Sequence, residues 1–197
     1  MNEKPIKGEY LEILLRSRQT IFSTKDISLL WKEKDNKIIN NRLKKYTRAG
    51  KLIRVYRGLY AKDKDYNQFE LATRIYTPSY ISFETVLTRS GINFQYYNNI
   101  FVASYVSREI IVNNQKISFV RMKDYVLSNN LGIIHNDCYA IATPERAFLD
   151  RLYTNKKYYF DNLSTLNWEK VFEILSIYNN KRLEREVNNY FKKEQNK

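Results

Sequence analysis

The sequence predicts an α+β protein, because helical and strand patterns occupy separate stretches of the chain. Three segments with helical spacing of apolar residues fill positions 8 to 49, and a short hairpin pattern follows them. Runs of β-branched and aromatic residues then predict a sheet between positions 100 and 122, and two helical patterns close the chain. We therefore expect a small helical domain with a hairpin, followed by a mixed α/β domain with terminal helices.

The first two helices are predicted to be short. Helical spacing of apolar residues predicts the first helix over residues 8–16, and the polar pair Arg18-Gln19 breaks the pattern. Ser23 and Asp26 resemble a capping box with Asp in place of Glu, which begins a second helix that ends near Lys32. The apolar face of this second helix is predicted to comprise Ile27, Leu29, Leu30 and Trp31.

The third helix is predicted from Asn36 to Ala49, with Asp35 as its N-cap and Gly50 as its C-terminal stop. At about 100° per residue, its apolar residues fall within an arc of roughly 140° that would face the core. These residues are Ile38, Ile39, Leu43 and Tyr46. A polar stripe lies opposite them and comprises Lys37, Asn41, Lys44 and Arg48.

A basic hairpin follows the third helix directly. The segment KLIRVYRGLYA predicts a strand from Leu52 to Tyr56, a turn at Arg57-Gly58 and a return strand from Leu59 to Ala61. Three helices and then a tight hairpin is the order of a winged helix-turn-helix. We therefore predict an N-terminal winged helix-turn-helix domain over residues 1–62.

The charge is concentrated in this same domain. Residues 1–62 hold 16 Lys and Arg against 6 Asp and Glu, so they carry +10 of the chain's net +13. A basic helix stripe by itself usually marks only a solvated face, and a winged helix can also serve as a protein-interaction module. The local charge favours DNA, because a surface that neutralises several phosphates gains affinity by releasing counterions.

The predicted DNA contacts follow from the docking of such domains, in which the third helix enters the major groove. Asparagine can form bidentate hydrogen bonds with adenine, and lysine and arginine can bind guanine or the phosphate backbone. Arginines on the hairpin are expected to contact phosphate or the minor groove. The predicted DNA-binding residues are Lys37, Asn40, Asn41, Lys44, Lys45, Arg48, Arg54 and Arg57. Arg42 falls inside the apolar arc, and the sequence leaves open whether it snorkels to the surface or pairs with an acid.

Residues 63–197 carry only +3 and are predicted to form the second, α+β domain, reached through a polar linker at residues 62–68. Helical patterns are predicted over residues 69–76, 83–89, 167–178 and 181–194. A hairpin turn is predicted at Asn113-Asn114, and one or two further strands in LGIIHNDCYAIAT. Thr143-Pro144 begins another helix, with Thr as N-cap and Pro at the first helical position. The near-neutral charge predicts a partner other than nucleic acid, or a role in orienting the first domain.

The sequence contains little that predicts catalysis. Cys138 is the single cysteine and His135 the single histidine, so neither a disulfide nor a four-ligand zinc site can form within the chain. His135 lies in a strand pattern, which favours a structural role. The carboxylates show no spacing typical of a shared metal: Glu70, Glu84, Asp124, Asp137, Glu145 and Asp150. We therefore expect no enzyme activity, no metal and no cofactor. A nuclease that acts on DNA is kept as a third hypothesis, ranked after the two DNA-binding functions given below.

The N-terminus has no stretch typical of a signal peptide, and no apolar run approaches a membrane span. A cytoplasmic protein without a membrane partner is therefore expected.

Three segments together resemble the AbiEi family of antitoxins from bacterial abortive-infection systems. They are LKKYTRAGKLIRVYRGLYA at residues 43–61, YISFETVLTRSGI at residues 80–92 and ATPERAFLDRL at residues 142–152. The first segment is common to many winged-helix regulators. Its combination with residues 144–147 and Asp150 narrows the resemblance to this family. Residues 155–197 carry no motif that matches.

The resemblance implies an antitoxin and transcriptional repressor that binds repeats in its own promoter and counteracts a nucleotidyltransferase-like toxin. It leaves open whether the antitoxin contacts the toxin directly and whether copies associate on the repeats. Residues Glu145, Arg146 and Asp150 could serve antitoxicity, although a capped helix with an Arg146–Asp150 pair explains them as well. The alternative is a stand-alone regulator whose second domain senses a ligand or a protein.

Overall fold

The structure, a computed structural model, describes residue 5 and the ranges 8–155 and 158–196. It confirms the α+β class, and it divides into two compact units, Met1–Ile75 and Tyr76–Lys197. The unit boundary lies further along the chain than the boundary predicted after residue 62, because the helix that follows the predicted linker packs on the first unit. Nowhere in the described ranges is there a helix with the length and apolar character needed to span a membrane.

Over its described residues, the first unit combines four helices with a three-stranded antiparallel sheet. The helices are α1 (Glu9–Arg16), α2 (Thr24–Leu30), α3 (Asn36–Arg48) and α4 (Gln68–Ile75). The strands are β1 (Ile21–Ser23), β2 (Ile53–Tyr56) and β3 (Leu59–Ala61), in the order β1-β3-β2. Strand β1 was not predicted, because its three residues are too few to show an alternating pattern.

The caps of α2 and α3 are confirmed. The Asp26 backbone N–H donates to the Ser23 hydroxyl, and the Ser23 backbone N–H donates to the Asp26 carboxylate, which is a capping box. The Asp35 carboxylate accepts from the Lys37 N–H at 2.7 Å and so begins α3. Gly50 follows α3 with φ +66°, a backbone conformation that glycine adopts without strain.

The core of the first unit corrects two assignments on the predicted apolar faces. Ile27, Trp31, Ile39 and Leu43 are buried as predicted. Two other residues of the predicted faces are instead exposed, Leu29 by 70% and Ile38 by 38%. Leu29 lies about 200° around the helix from Ile27, and Ile38 lies at the edge of its arc, so each side chain faces away from the core.

Helix α4 is attached to the first unit through a buried carboxylate. Glu70 is fully buried, and its Oε2 accepts from the Thr20 N–H (2.8 Å) and the Thr20 hydroxyl (2.7 Å). Arg74 bridges Glu70 Oε1 (3.0 Å) and Asp26 Oδ2 (2.6 Å). The chain entering β1, the start of α2 and α4 are therefore joined by one network. Tyr66, in the predicted linker, is also buried.

We expect Glu70→Ala to lower the free energy of unfolding by about 2 kcal/mol, because hydrogen bonds to buried charged groups are lost together. Arg74 would keep Asp26 as a partner, which limits the loss. Urea unfolding measures this effect, with Glu12→Ala as the control. Glu12 forms an exposed ion pair with Arg16, so its removal should change stability by less than about 0.5 kcal/mol. Equal effects of the two substitutions would contradict a structural role for Glu70.

The part of the second unit that the structure describes contains a six-stranded mixed sheet in the order β6-β7-β5-β4-β9-β8. Its strands are β4 (Ser79–Ile81), β5 (Asn99–Ser104), β6 (Arg108–Val112), β7 (Gln115–Arg121), β8 (Ile133–His135) and β9 (Ala140–Ala142). Strand β4 pairs in parallel with β9, as β5 does with β7, and the other pairs are antiparallel. Asn113 and Asn114 both have positive φ between β6 and β7, which confirms the predicted hairpin turn.

The described part of the second unit contains five helices, and all of them except the short helix Asp124–Leu127, which was not predicted, lie close to their predicted positions. They are α5 (Glu84–Arg89), α6 (Asp124–Leu127), α7 (Pro144–Thr154), α8 (Trp168–Leu175) and α9 (Lys181–Gln195). Thr143 caps α7 and Pro144 is at its start, as predicted. A 3₁₀ turn, Ser176–Tyr178, follows α8 and ends what was predicted as one helix to residue 178. Helix α7 is the central one, since seven of its side chains are buried.

Candidate nucleic-acid interface and a buried polar network

Helix α3 and the β2–β3 hairpin together present a basic surface, which we call the α3–hairpin face. All of the eight predicted DNA-binding side chains are exposed. Six of them lie on α3: Lys37, Asn40, Asn41, Lys44, Lys45 and Arg48. Arg54 lies on β2 and Arg57 in the turn that follows it. Because Ile39 and Leu43 hold the opposite side of α3 in the core, the polar side of the helix faces solvent.

The lysines and arginines of this face have no acidic partner among the residues that the structure describes. Across the described part of the chain, no ion pair involves Lys37, Lys44, Lys45, Arg48, Arg54 or Arg57. Other cations of the unit do have internal partners, for example Arg16 with Glu12 and Arg74 with Glu70. The α3–hairpin face is therefore a concentration of positive charge that no described acidic side chain pairs with.

Arg42, on the core side of α3, stacks on an aromatic ring. Its guanidinium carbon lies 3.8 Å from the centre of the Tyr10 ring, a cation–π arrangement. Its Nε is buried without a hydrogen-bond partner among the described residues. The sequence left open whether Arg42 reaches the surface or pairs with an acidic residue. The structure shows a contact with the Tyr10 ring instead.

The hairpin is held against the start of α2. Arg54 lies opposite Tyr60 in the β2–β3 pair, and a register shift follows between Arg54 and Tyr56. Gly58 in the turn has φ +73°, and its carbonyl accepts from the Thr24 N–H at 3.3 Å. This bond places the turn, and with it Arg57, at a defined position relative to the helices of the first unit.

Ile38 is a residue of this face that the sequence pattern did not predict. At 100° per residue Ile38 lies beside Lys45 and Asn41 on α3, and its side chain is partly exposed. The signal in the sequence that could have indicated its exposure was its position at the edge of the predicted apolar arc. It was ambiguous, because the same pattern is satisfied when the side chain is buried.

In the second unit, Arg146 and Asp150 of α7 form the centre of a buried polar network. Both side chains are fully buried, and Arg146 Nε donates to Asp150 Oδ1 at 3.4 Å. The other nitrogens of Arg146 donate to the carbonyls of Val126 and Leu131, each at 2.7 Å, and to the Tyr80 hydroxyl at 3.0 Å. One side chain thus ties α7 to β4, to α6 and to the loop before β8.

Asp150 accepts hydrogen bonds from three hydroxyls as well. The Tyr178 and Ser82 hydroxyls each donate at 2.7 Å, and the Tyr80 hydroxyl donates at 3.1 Å. Burial raises the pKa of the Asp150 carboxyl, and the Arg146 guanidinium and the three hydroxyl donors oppose this shift. Burial and the neighbouring Asp150 also raise the pKa of Tyr80 and of Tyr178.

The three residues predicted for antitoxicity therefore lie in the interior. Glu145 is also buried, and it accepts from the Asn167 N–H at 3.3 Å, which joins α7 to the start of α8. A side chain buried in this way cannot contact a partner while the unit stays folded. The burial of these residues favours the structural interpretation of the ATPERAFLDRL segment.

Tyr80, Ser82 and Tyr178 are the members of this network that sequence analysis missed. Tyr80 and Ser82 are two residues apart at a strand end, so a strand pattern would place both on one face. Nothing in the sequence near Tyr178 indicates that its hydroxyl reaches α7.

The other carboxylates considered for metal binding are dispersed. Glu84 pairs with Arg151, and Glu70 with Arg74, while Asp124 and Asp137 are exposed. Within the ranges that the structure describes, no group of three or more His, Cys, Asp or Glu side chains could hold a metal ion. His135 lies in β8, as predicted, and is exposed.

No protein-family model and no curated protein matches this sequence.

Proposed function

We propose that the first unit is a winged helix-turn-helix and that the chain is a DNA-binding transcriptional repressor. The observation that carries this proposal is the α3–hairpin face, whose six cations are exposed and without acidic partners in the described ranges. Residues 1–75 hold 18 Lys and Arg against 9 Asp and Glu, so the unit carries +9. A surface with this charge and this helix-and-hairpin shape matches the phosphates that flank a major groove.

In the proposed complex, α3 enters the major groove with its solvent side toward the bases. Asn40 and Asn41 bind adenine edges, and Ile38 contacts a thymine methyl group. The lysines and Arg48 bind guanine or the backbone, and Arg54 and Arg57 bind the backbone along the hairpin. The sequence of the operator is set by the few base contacts, while most of the affinity comes from the phosphates.

The test is a gel shift of the full chain with DNA from upstream of its own gene. We expect the double variant Lys44→Ala/Arg57→Ala to bind more weakly, because it loses two cations of the face. The slope of log affinity against log salt should also become less negative by about two, one for each phosphate contact that is lost.

Arg16→Ala is the matched control, since Arg16 is exposed, lies on α1 and pairs with Glu12. Its affinity and salt slope should equal those of the unmodified chain. An unchanged affinity of the double variant, or an equal loss in Arg16→Ala, would reject the α3–hairpin face as the DNA-binding surface.

We further propose that the chain is an antitoxin that represses its own operon and counteracts a nucleotidyltransferase-like toxin. This part rests on the resemblance of the three segments quoted above. The burial of Glu145, Arg146 and Asp150 indicates that they act by holding the second unit together rather than by contacting a toxin. A neighbouring gene for such a toxin, whose growth inhibition this chain relieves, would support the proposal. A neighbouring toxin gene that the chain fails to counteract would reject it.

A stand-alone regulator whose second unit senses a ligand is the second candidate. This candidate is favoured by an open groove in the second unit that is large enough to hold a small molecule.

A further inference from the structure

The second unit contains an open groove of about 880 Å³, which we call the α6–α9 groove. It lies where the end of β7, the start of α6, the end of α7 and the start of α9 meet. The residues that matter to its chemistry are Arg121, Lys123, Asp124, Tyr125, Tyr153 and Arg182. None of them belongs to the α3–hairpin face. The volume is within the range of small-molecule sites, roughly 300–1,000 Å³.

The groove favours an anion. Arg121 and Lys123 are exposed at its edge, and neither forms an ion pair with a described acidic residue. Arg182 also lines the groove, but Glu186 (2.8 Å) compensates its charge and its other terminal nitrogen donates to the carbonyls of Leu152 and Tyr153. The acidic residue that lines the groove is Asp124.

The groove also offers an aromatic ring held in position. The Tyr125 hydroxyl donates to the Tyr178 carbonyl at 3.1 Å, which fixes the ring while 47% of the residue stays exposed. Burial and a hydrogen bond with Tyr125 raise the pKa of Tyr153 to about 12. The ring of Tyr153 lies 5.3 Å from that of Tyr178, whose hydroxyl binds Asp150. The wall of the groove is therefore supported by the buried network of α7.

We propose that the α6–α9 groove binds a mononucleotide. Arg121 and Lys123 bind the phosphate, and the exposed ring of Tyr125 stacks on the base. The Asp124 carboxylate suits a ribose hydroxyl as a hydrogen-bond acceptor. A ring fixed before the ligand arrives loses little entropy on binding. This inference goes beyond the proposed DNA binding and does not depend on it, because every residue it uses lies in the second unit.

The experiment is calorimetric titration of the full chain with AMP, GMP, CMP and UMP, and separately with inorganic phosphate and with adenosine. We expect at least one mononucleotide to bind saturably at millimolar concentration or below, and more tightly than phosphate or adenosine. Arg121→Ala/Lys123→Ala should weaken this binding about tenfold or more through the loss of charge-assisted hydrogen bonds. Lys192→Ala, which removes an exposed cation at the twelfth residue of α9, should leave it unchanged.

Substitutions of Tyr125 distinguish the contribution of the base to binding from that of the phosphate. Tyr125→Phe keeps the ring and loses only the hydrogen bond that fixes it, so it should bind the mononucleotide better than Tyr125→Leu, which should weaken binding about fivefold or more through lost stacking. Circular dichroism checks that both variants are folded. The DNA-face variant Lys44→Ala/Arg57→Ala should bind the mononucleotide normally, so failure of one proposal is distinguishable from failure of the other.

Three results would overturn the proposal. One is no saturable binding by any of the four mononucleotides. Another is equal binding of inorganic phosphate, since the aromatic ring would then contribute nothing. The third is binding that Lys44→Ala/Arg57→Ala abolishes, which would assign it to the first unit.

Discussion

Asp150→Ala is expected to lower the free energy of unfolding of the second unit by about 3–5 kcal/mol, the usual cost of breaking a buried ion pair. The substitution leaves the Arg146 guanidinium buried without its carboxylate, and it leaves three hydroxyl donors without their acceptor. Urea unfolding followed by tryptophan fluorescence measures the effect. Trp31 and Trp168 lie in different units, so a Trp31→Phe background leaves Trp168 as the reporter of the second unit.

The double variant Arg146→Met/Asp150→Leu is the control for this prediction. It replaces both charges by apolar side chains, so it should be less destabilised than Asp150→Ala, because no buried charge is left unpaired. A loss below about 1 kcal/mol in Asp150→Ala would mean that solvent reaches the site and that the network does not stabilise α7.

The affinity of the full chain for its operator is expected to fall by about a thousandfold between 50 and 200 mM salt, if all six cations of the α3–hairpin face contact phosphates. The corresponding slope of log affinity against log salt is about −5, since each neutralised phosphate contributes roughly −0.9. Gel shifts or fluorescence anisotropy at five salt concentrations measure the slope.

Asn41→Ala is the control that separates base contacts from phosphate contacts. Asn41 is uncharged and exposed on α3, so its loss should reduce the preference for the operator over unrelated DNA without changing the salt slope. A slope near zero in the unmodified chain would contradict phosphate binding by this face. A slope that changes in Asn41→Ala would contradict its assignment to the bases.

Much of the first unit could be predicted because its signals are local. Ser23 and Asp26 form the capping box that their spacing predicts, and Asp35 caps α3. The exposed side of α3 also follows from helical periodicity, which needs only neighbours along the chain. The exceptions are Leu29 and Ile38, which are exposed. Leu29 lies on the side of α2 opposite Ile27, so periodicity already separates it from the core, whereas Ile38 lies at the edge of its arc and only packing decided that it faces outward.

The unit boundary could not be predicted in the same way. Residues 62–68 have the polar composition of a linker, yet Tyr66 within them is buried and α4 follows on the first unit. Glu70 holds α4 through Thr20, fifty residues earlier in the chain. Such a contact has no signature in local composition, because a buried glutamate and an exposed one have the same sequence pattern.

The role of the ATPERAFLDRL segment also required the structure. The sequence predicts its cap, its helix and the spacing of Arg146 and Asp150, and these are confirmed. A charged pair four residues apart is typical of an exposed helix face, which suits a partner-binding surface equally well. The structure instead buries the pair among Tyr80, Ser82 and Tyr178, so its chemistry is internal.

By itself, therefore, the sequence determined the α+β class, the helix starts and the concentration of charge before residue 63, because each of these depends on residues close together in the chain. The tertiary structure decided the extent of the first unit, the burial of Arg146 and Asp150, and the existence of the α6–α9 groove. These features arise from contacts between residues 20 to 70 positions apart, such as Thr20 with Glu70 and Tyr80 with Asp150. No local pattern specifies such contacts, because they depend on how the elements pack.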